Sequence, residues 1–559
     1  MSHVCLAKWW RSFFSAFRIM ATATVLLLFL LAAPCSGQQF ETDKLLSADG
    51  EAYDNFGISL SLSGDRALVG ASNDDDKGFS SGSAYLFHYD SASGTWIEEA
   101  KLLASDGAGE HFFGCSVALS GDRALIGAYG DDDHGWRSGS VYVFGYDDAH
   151  DIWREEAKLT ASDGTLGDHF GRSISLFGER VLIGADYDND NGNNSGSAYV
   201  FHYDSLSGLW IEEAKLLPSD GTSTDFFGCS VSLSGTRALI GAWQQEHHGH
   251  CPGAAYLFGY DSVSGTWLEE AKLLDPSGEH HDYFGYSVAL DGEVALIGAR
   301  RDDDYGNSSG SAYLFRYHGD RGTWTEETKL HASDAAWGDE FGYAVALDGN
   351  SALVGARYGD SYLPATGSAY LFGYDTVSGR WLEEANLITS DGRNNDRFGT
   401  AVALDSGGAL VGAFDETNEN GPEAGSVYAY DFISVLALDA KCNGQDENVI
   451  VSSGDSVTLT IEIDNGFHPD LQGDLWVVAV LPTSGWNTWT YGPWENPIWR
   501  SGWGNEYFSG PPANHAATVC DQPLPPGTYK LYLALDAIPN GVLDLLALWE
   551  IDVVDFTVQ

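Results

Sequence analysis

Apolar and polar positions recur along this chain in a four-part pattern. In its clearest copy the first part is Ser116-Val117-Ala118-Leu119, with Val117 and Leu119 on one side of an alternation and Ser116 and Ala118 on the other. That is the period of a half-buried strand. The second part, Ala124-Leu125-Ile126-Gly127-Ala128, is apolar throughout, as a strand covered on both faces is. The third is aromatic at every second position, for instance Tyr85, Phe87 and Tyr89. The fourth carries one Trp and a Glu-Glu pair, as in Trp153-Arg154-Glu155-Glu156-Ala157-Lys158-Leu159. Charges suit an outer strand, where they discourage unwanted pairing. Ser120-Gly121-Asp122 and Ser91-Ala92-Ser93-Gly94 are hairpin chemistry, joining strand one to two and three to four.

The pattern returns every 57 residues, marked by Phe-Gly at Phe56, Phe113, Phe170, Phe227, Phe284, Phe341 and Phe398. Strict internal repetition on this scale signals a propeller or solenoid. Gln39–Leu46 reads like Trp96–Leu103, the end of a unit, whereas the seventh unit stops at Tyr430 without that piece. A ring closed by the N-terminal strand accounts for both. The expected fold is all-β: a seven-bladed β-propeller over residues 38–432, followed by a C-terminal, Ig-like β-sandwich over residues 433–559. In that tail Val457–Ile463 and Tyr529–Leu533 alternate, and Val477–Leu481 is a buried-strand run.

Antiparallel strands send successive connections to opposite faces of the ring. The long connections, after strands two and four, therefore share one face, which collects most of the acidic loops. Among them are Asp74-Asp75-Asp76, Asp131-Asp132-Asp133, Asp188-Asn189-Asp190 and Asp302-Asp303-Asp304, together with Ser-Asp-Gly turns at Asp106, Asp163, Asp220 and Asp391.

Residues 1–37 read as a secretory signal peptide: Lys8, Arg11 and Arg18, then an apolar run from Ile19 to Ala33, then Ser36-Gly37. No second apolar span follows, so the expectation is a secreted, extracellular protein with no membrane span after cleavage. The formal net charge of −53 excludes nucleic acid as a partner. Secretion permits disulfides, and Cys442 and Cys520, flanking the tail, are the expected pair. Cys115 and Cys229 occupy the same position in units two and four, and Cys251 is left over.

Three groups of residues carry candidate chemistry. Asp186, Asp188 and Asp190 space carboxylates at alternate positions, the pattern with which one loop gathers oxygens around calcium; an ordinary polar turn has the same composition. Asp74, Asp76, Asp131, Asp133, Asp302 and Asp304 offer a broader acidic surface, which solvation alone also explains. Unit four replaces its acidic loop with Glu246-His247-His248-Gly249-His250-Cys251, so His247, His248 and His250 offer soft metal ligands or simply a variable loop. In the tail, Trp486, Trp489, Trp494, Trp499 and Trp503 suit stacking on sugar rings, or packing of a long loop on its own core. No hydrolase elbow, zinc-protease motif or phosphate loop is present, and the repeated Glu-Glu pairs read as structural.

Phe284-Gly285, Gly298-Ala299 and Gly310-Ser311-Ala312-Tyr313, with their six counterparts, resemble the FG-GAP repeat family. The resemblance implies a β-propeller distantly similar to that of integrin α-chains, and a secreted bacterial kind of protein. It does not extend to the integrin calcium loop. That loop lies between Phe-Gly and Gly-Ala, where this chain has only a turn such as Ser63-Gly64-Asp65-Arg66. The functional expectation is a non-enzymatic recognition or adhesion protein. It binds an extracellular protein or glycan through the acidic face, with calcium as the candidate ion. The alternative is carbohydrate binding or carbohydrate-active chemistry by the tail tryptophans.

Overall fold

The computed structural model describes residues 37–246, 252–275, 281–359, 366–376, 378–405 and 407–431, and beyond them the strands of the C-terminal part. The chain divides between Asp431 and Phe432 into two compact units. The first is a seven-bladed propeller. Blade two illustrates the rest, with strands Ser116–Ser120, Arg123–Ala128, Ser140–Asp147 and Ile152–Leu159 paired in chain order. First strands pack against first strands around the ring, and Ala401–Asp405 of blade seven packs against Phe56–Ser63 of blade one. The fourth strand of blade seven is Asp43–Leu45, antiparallel to Ser426–Asp431 with Lys44 opposite Tyr428. Gly37–Phe40 adds a fifth strand to blade six, parallel to Arg380–Ile388.

The repeated motifs are the joints between blades. Phe113 is fully buried and meets Tyr142 and Phe144 edge-on, at 5.4 and 6.2 Å between ring centroids. Its backbone N–H donates to the Ser81 carbonyl of blade one at 3.0 Å. Gly82 (φ +83°) lies directly against this Phe113 backbone, so that a Cβ there has no room. The same joint recurs around the ring, up to Phe56 N–H on the Ala424 carbonyl. Phe-Gly and Gly-Ser are thus the two halves of one contact between neighbouring blades.

The Glu-Glu pair is explained by a bulge. In blade two the register shifts between Glu155 and Ala157, which frees two adjacent residues from strict alternation. The first Glu reaches the preceding loop: Glu155 accepts from Ser105 N–H and Oγ, both at 2.8 Å. The second works within and between blades. Glu213 pairs with Arg180 at 2.8 Å, and Glu99 accepts from Trp153 Nε1 at 2.9 Å.

In the second unit, Ala437–Cys442, Ser456–Asp464 and His515–Pro523 form one sheet. Val449–Val451, Leu548–Val558, Gly527–Asp536, Gly473–Leu481 and Gly485–Thr490 form another in that order, with Phe508–Gly510 also on Gly473–Leu481. Cys442 and Cys520 lie in strands on opposite sides of Ser456–Asp464, each opposite Leu459.

Candidate functional site

The acidic loops hold ion clusters already built from the chain. In blade two, Lys158 on the fourth strand reaches Asp106, Asp131 and Asp133 at 2.8, 2.9 and 2.7 Å. Tyr142 on the third strand donates to Asp106 and Asp131 at 2.7 and 2.8 Å. Blade one repeats this with Lys101, Tyr85, Asp49, Asp74 and Asp76. Blade three does so with Lys215, Tyr199, Asp163, Asp188 and Asp190. In blade five Lys329 holds Asp302 and Asp304, and in blade seven Lys44 holds Asp391 and Glu416.

Each cluster has one buried carboxylate, such as Asp131, and one or two at the rim, such as Asp106 and Asp133. Burial works against the charge on Asp131, but Lys158 and Tyr142 outweigh it and hold the carboxyl below its usual range. Burial also works against the charge on Lys158, and its three carboxylates raise it all the same. A lysine ammonium thus stands where the sequence pattern suggested a metal cation.

Asp186, Asp188 and Asp190 are not brought together. Asp188 and Asp190 face Lys215, at 2.9 and 2.6 Å. Asp186, next after Gly184-Ala185, is still beside the inner strands, 3.9 Å from His169 Nδ1. Among the described residues, two carboxylate groups are tight enough to hold a metal, Asp106–Asp131–Asp133 and Asp275–Asp282–Asp302. Lys158 is paired with every member of the first, and Lys329 is paired with Asp302 of the second. His247, His248, His250, Trp494, Trp499 and Trp503 lie outside the described residues. Trp486 and Trp489 fall on the strand Gly485–Thr490, at an edge of its sheet.

A second feature of the same face is less evident in the sequence. The residue before each Phe-Gly is Asn55, Phe112, His169, Phe226, Tyr283, Glu340 or Arg397, and the residue after each Gly-Ala is equally variable. All seven of the former adopt positive φ, between 55° and 60°. That conformation costs a bulky residue about 1–2 kcal/mol, and strain of this kind gathers at functional sites.

Together these residues ring the mouth of the central channel with unlike side chains. Phe112 stacks on Tyr129 at 5.0 Å, Tyr129 meets His169 at 5.1 Å, and His169 meets Tyr187 at 4.4 Å. Phe226 and Trp243 stack at 5.2 Å, and Trp243 meets Tyr283 at 4.6 Å. Beyond Tyr283 the arc turns cationic. Arg300 and Arg357 share Glu340 at 2.9 and 2.7 Å, and Arg397 pairs with Asp415 at 2.9 Å. The signal available in the sequence was variation itself, since these positions differ between units that otherwise nearly match.

Asp186 belongs to this ring. Burial pushes its carboxyl up to about 6, against the pull of Arg172. A carboxyl raised in the fold adds stability that is complete below its ordinary value near 3.8 and lost as pH rises through about 6. Asp186→Asn is therefore expected to raise the melting temperature at pH 7.5, with the gain vanishing below pH 4. Calorimetry across that range checks it, and an equal gain at both ends would show that the charge is not the cause.

Farther out, Phe79 and Trp136 flank a groove of about 320 Å³ between the loops of blades one and two, lined also by Gly109, Glu110, Gly130 and Asp132. Both rings are exposed, Phe79 by 76% and Trp136 by 56%.

A family model described as FG-GAP repeat matches residues 40–87, 96–144, 153–201, 210–258, 267–315, 324–372 and 381–430. No curated protein matches the chain. Among solved structures, the full extracellular region of Plexin A4 is similar over 89% of this chain and 75% of its own, at 9% identity and a TM-score of 0.26. No helix among the described residues is long and apolar enough to cross a membrane.

Proposed function

Because the chain belongs to the FG-GAP repeat family, with seven copies arranged as one ring, we propose that it is a secreted, non-enzymatic recognition protein. Its binding surface is the propeller face that carries the long loops, and its C-terminal part is a β-sandwich. The observation that carries this reading is the contrast within the repeat. Strand and joint residues are nearly the same in every unit, while the residues around the channel mouth differ from blade to blade. A frame that only needed to close would tolerate equal residues there. Exposed Phe79, Trp136 and Trp337 add large apolar contacts on the same face, of the type that anchors protein interfaces.

In blades one to three a lysine already stands among the three loop carboxylates and offsets one of their charges. Because that ammonium occupies the place between them, recognition through this face is read as proceeding without added cation. The repeated carboxylate pairs have structural partners, which argues against acid–base catalysis by them.

The test is binding of the full chain to a panel of extracellular-matrix proteins and glycans, with and without chelator. A Phe79→Ser/Trp136→Ser/Trp337→Ser variant is compared with the parent. Chelator-resistant binding that the triple variant loses supports the reading. Binding unaffected by the variant, and lost instead on Trp489→Ala or Trp499→Ala, assigns recognition to the tail.

A further inference from the structure

The acidic character of this protein stops at the channel mouth. The third residue of each Phe-Gly-x segment lies within or immediately before an inner strand, and in blade three it is Arg172, next before Ser173–Phe177. Arg172 is accessible to solvent from the channel. It nevertheless lies close enough to Asp186, Cys115, Tyr286 and Tyr129 for their charges to act on it. Tyr286 is two blades away, so these groups meet near the axis rather than within one sheet. The Arg172 guanidinium makes no hydrogen bond or ion pair of its own among the described residues, and its nearest ring, Tyr129, is 5.7 Å away. In blade five Arg301 is also exposed, and among the described residues its guanidinium touches Tyr283, at 3.3 Å from its hydroxyl and 4.7 Å over its ring. Arg300 and Arg357 draw on a single carboxylate between them, Glu340. Guanidinium groups thus outnumber carboxylates here, on a chain of net charge −53.

A planar guanidinium with free donors matches a carboxylate by two parallel hydrogen bonds. Such a pair gains strength where walls of low polarity exclude water, and the aromatic arc from Phe112 to Tyr283 supplies such walls.

We propose that the channel mouth is a binding site for the carboxylate group of an acidic ligand, held by Arg172 with Arg301 at the rim. The proposal rests on the reading of this face as the recognition surface, and it names the chemistry recognised there. The negative charge of the whole chain then acts as a filter, repelling anions everywhere except at the axis. Two sources offer such a carboxylate: a sugar acid and an acidic peptide side chain. Their common requirement is the arginine pair.

The experiment is titration calorimetry of the full chain with glucuronate, with N-acetylglutamate amide and, as the uncharged control, with glucose. At least one acid is expected to bind while glucose does not, and the acid that binds identifies the source. Arg172→Gln is expected to weaken that binding tenfold or more. Its melting temperature is expected to fall at pH 7.5, because buried Asp186 loses the guanidinium that opposes its desolvation, so binding is measured at a temperature where the variant is folded. Arg301→Gln, remote from the inner strands, serves as the second variant should Arg172→Gln fold poorly. The proposal is overturned if neither acid binds, or if both variants bind as the parent does. Binding to the matrix panel that survives Arg172→Gln but is lost in the Phe79/Trp136/Trp337 variant overturns this site alone and leaves recognition by the face standing.

Discussion

Lys158→Met is expected to destabilise the propeller by about 3–5 kcal/mol, the usual cost of leaving a buried charge without its partner. The substitution keeps an unbranched apolar stem of similar reach and removes the ammonium. Asp131, whose side chain is fully buried, then keeps Tyr142 and loses its cation. The chain itself carries the corresponding control. In blade six Asn386 stands where the other blades have lysine, and the loop carboxylate is replaced there by Gly359. There Asn386 and Tyr370 bond the remaining Asp334, whereas blade four keeps Lys272 on Asp220 with Gln245 in place of the buried carboxylate. In Lys158→Met, Asp106, Asp131 and Asp133 keep oxygens within 4.8 Å of one another. Millimolar calcium is therefore expected to recover part of the lost melting temperature in the variant and to leave the parent's blade two unchanged. Calorimetry of both proteins in calcium and in chelator reads this out. A destabilisation under 1 kcal/mol would show that the cluster is solvated and the lysine dispensable. A variant indifferent to calcium would show that the loop lacks the six to eight oxygens the ion needs.

Gly139→Ala should cost at least about 3 kcal/mol, from a backbone conformation that L-residues resist and from overpacking at a rigid joint. Gly139 sits at φ +85°, and a Cβ there would press into the Phe170 carbonyl and lie 2.6 Å from the Phe170 nitrogen. Both obstacles are backbone of the next blade, so neither can turn aside as a side chain would. Gly121→Ala separates the two contributions. Gly121 also has positive φ, +54°, but nothing lies within 4 Å of its Cβ position. Its cost should be the conformational part alone, about 1–2 kcal/mol. Urea unfolding of both variants gives the difference. Equal costs would mean that the blades can separate slightly at no penalty, and would remove the joint role assigned to Phe-Gly and Gly-Ser.

Strand character, turn chemistry and the number of blades were legible because each is written in short segments. Alternation at Val117 and Leu119, the apolar run of Ala124–Ala128 and the hairpin at Gly121 depend on neighbours a few residues away. Repetition then multiplied a weak local signal seven times. The acidic loops were legible as loops, but their chemistry was not. Lys158 is separated by 27 residues from Asp131 and by 52 from Asp106, and reads in the sequence as one more charge on an outer strand. Only the fold brings its ammonium among three carboxylates. The alternate spacing of Asp186, Asp188 and Asp190 suggested a common target. The chain leaves the inner strand at that point, and this turns the first toward the axis and the other two toward Lys215.

The sequence by itself therefore determined the architecture of this protein: its period, its four-strand blades and the face on which the long loops gather. Tertiary structure alone decided which charges are consumed and which remain. That division has a physical cause. Backbone pairing and turn formation are governed by contacts near in sequence, and a repeat makes the remaining ones predictable by symmetry. Neutralisation falls off with distance in space, so it depends on where strands from different blades place their ends. It was this placement that tied the loop aspartates to lysines and left Arg172, ringed by unlike residues of the other blades, open at the axis.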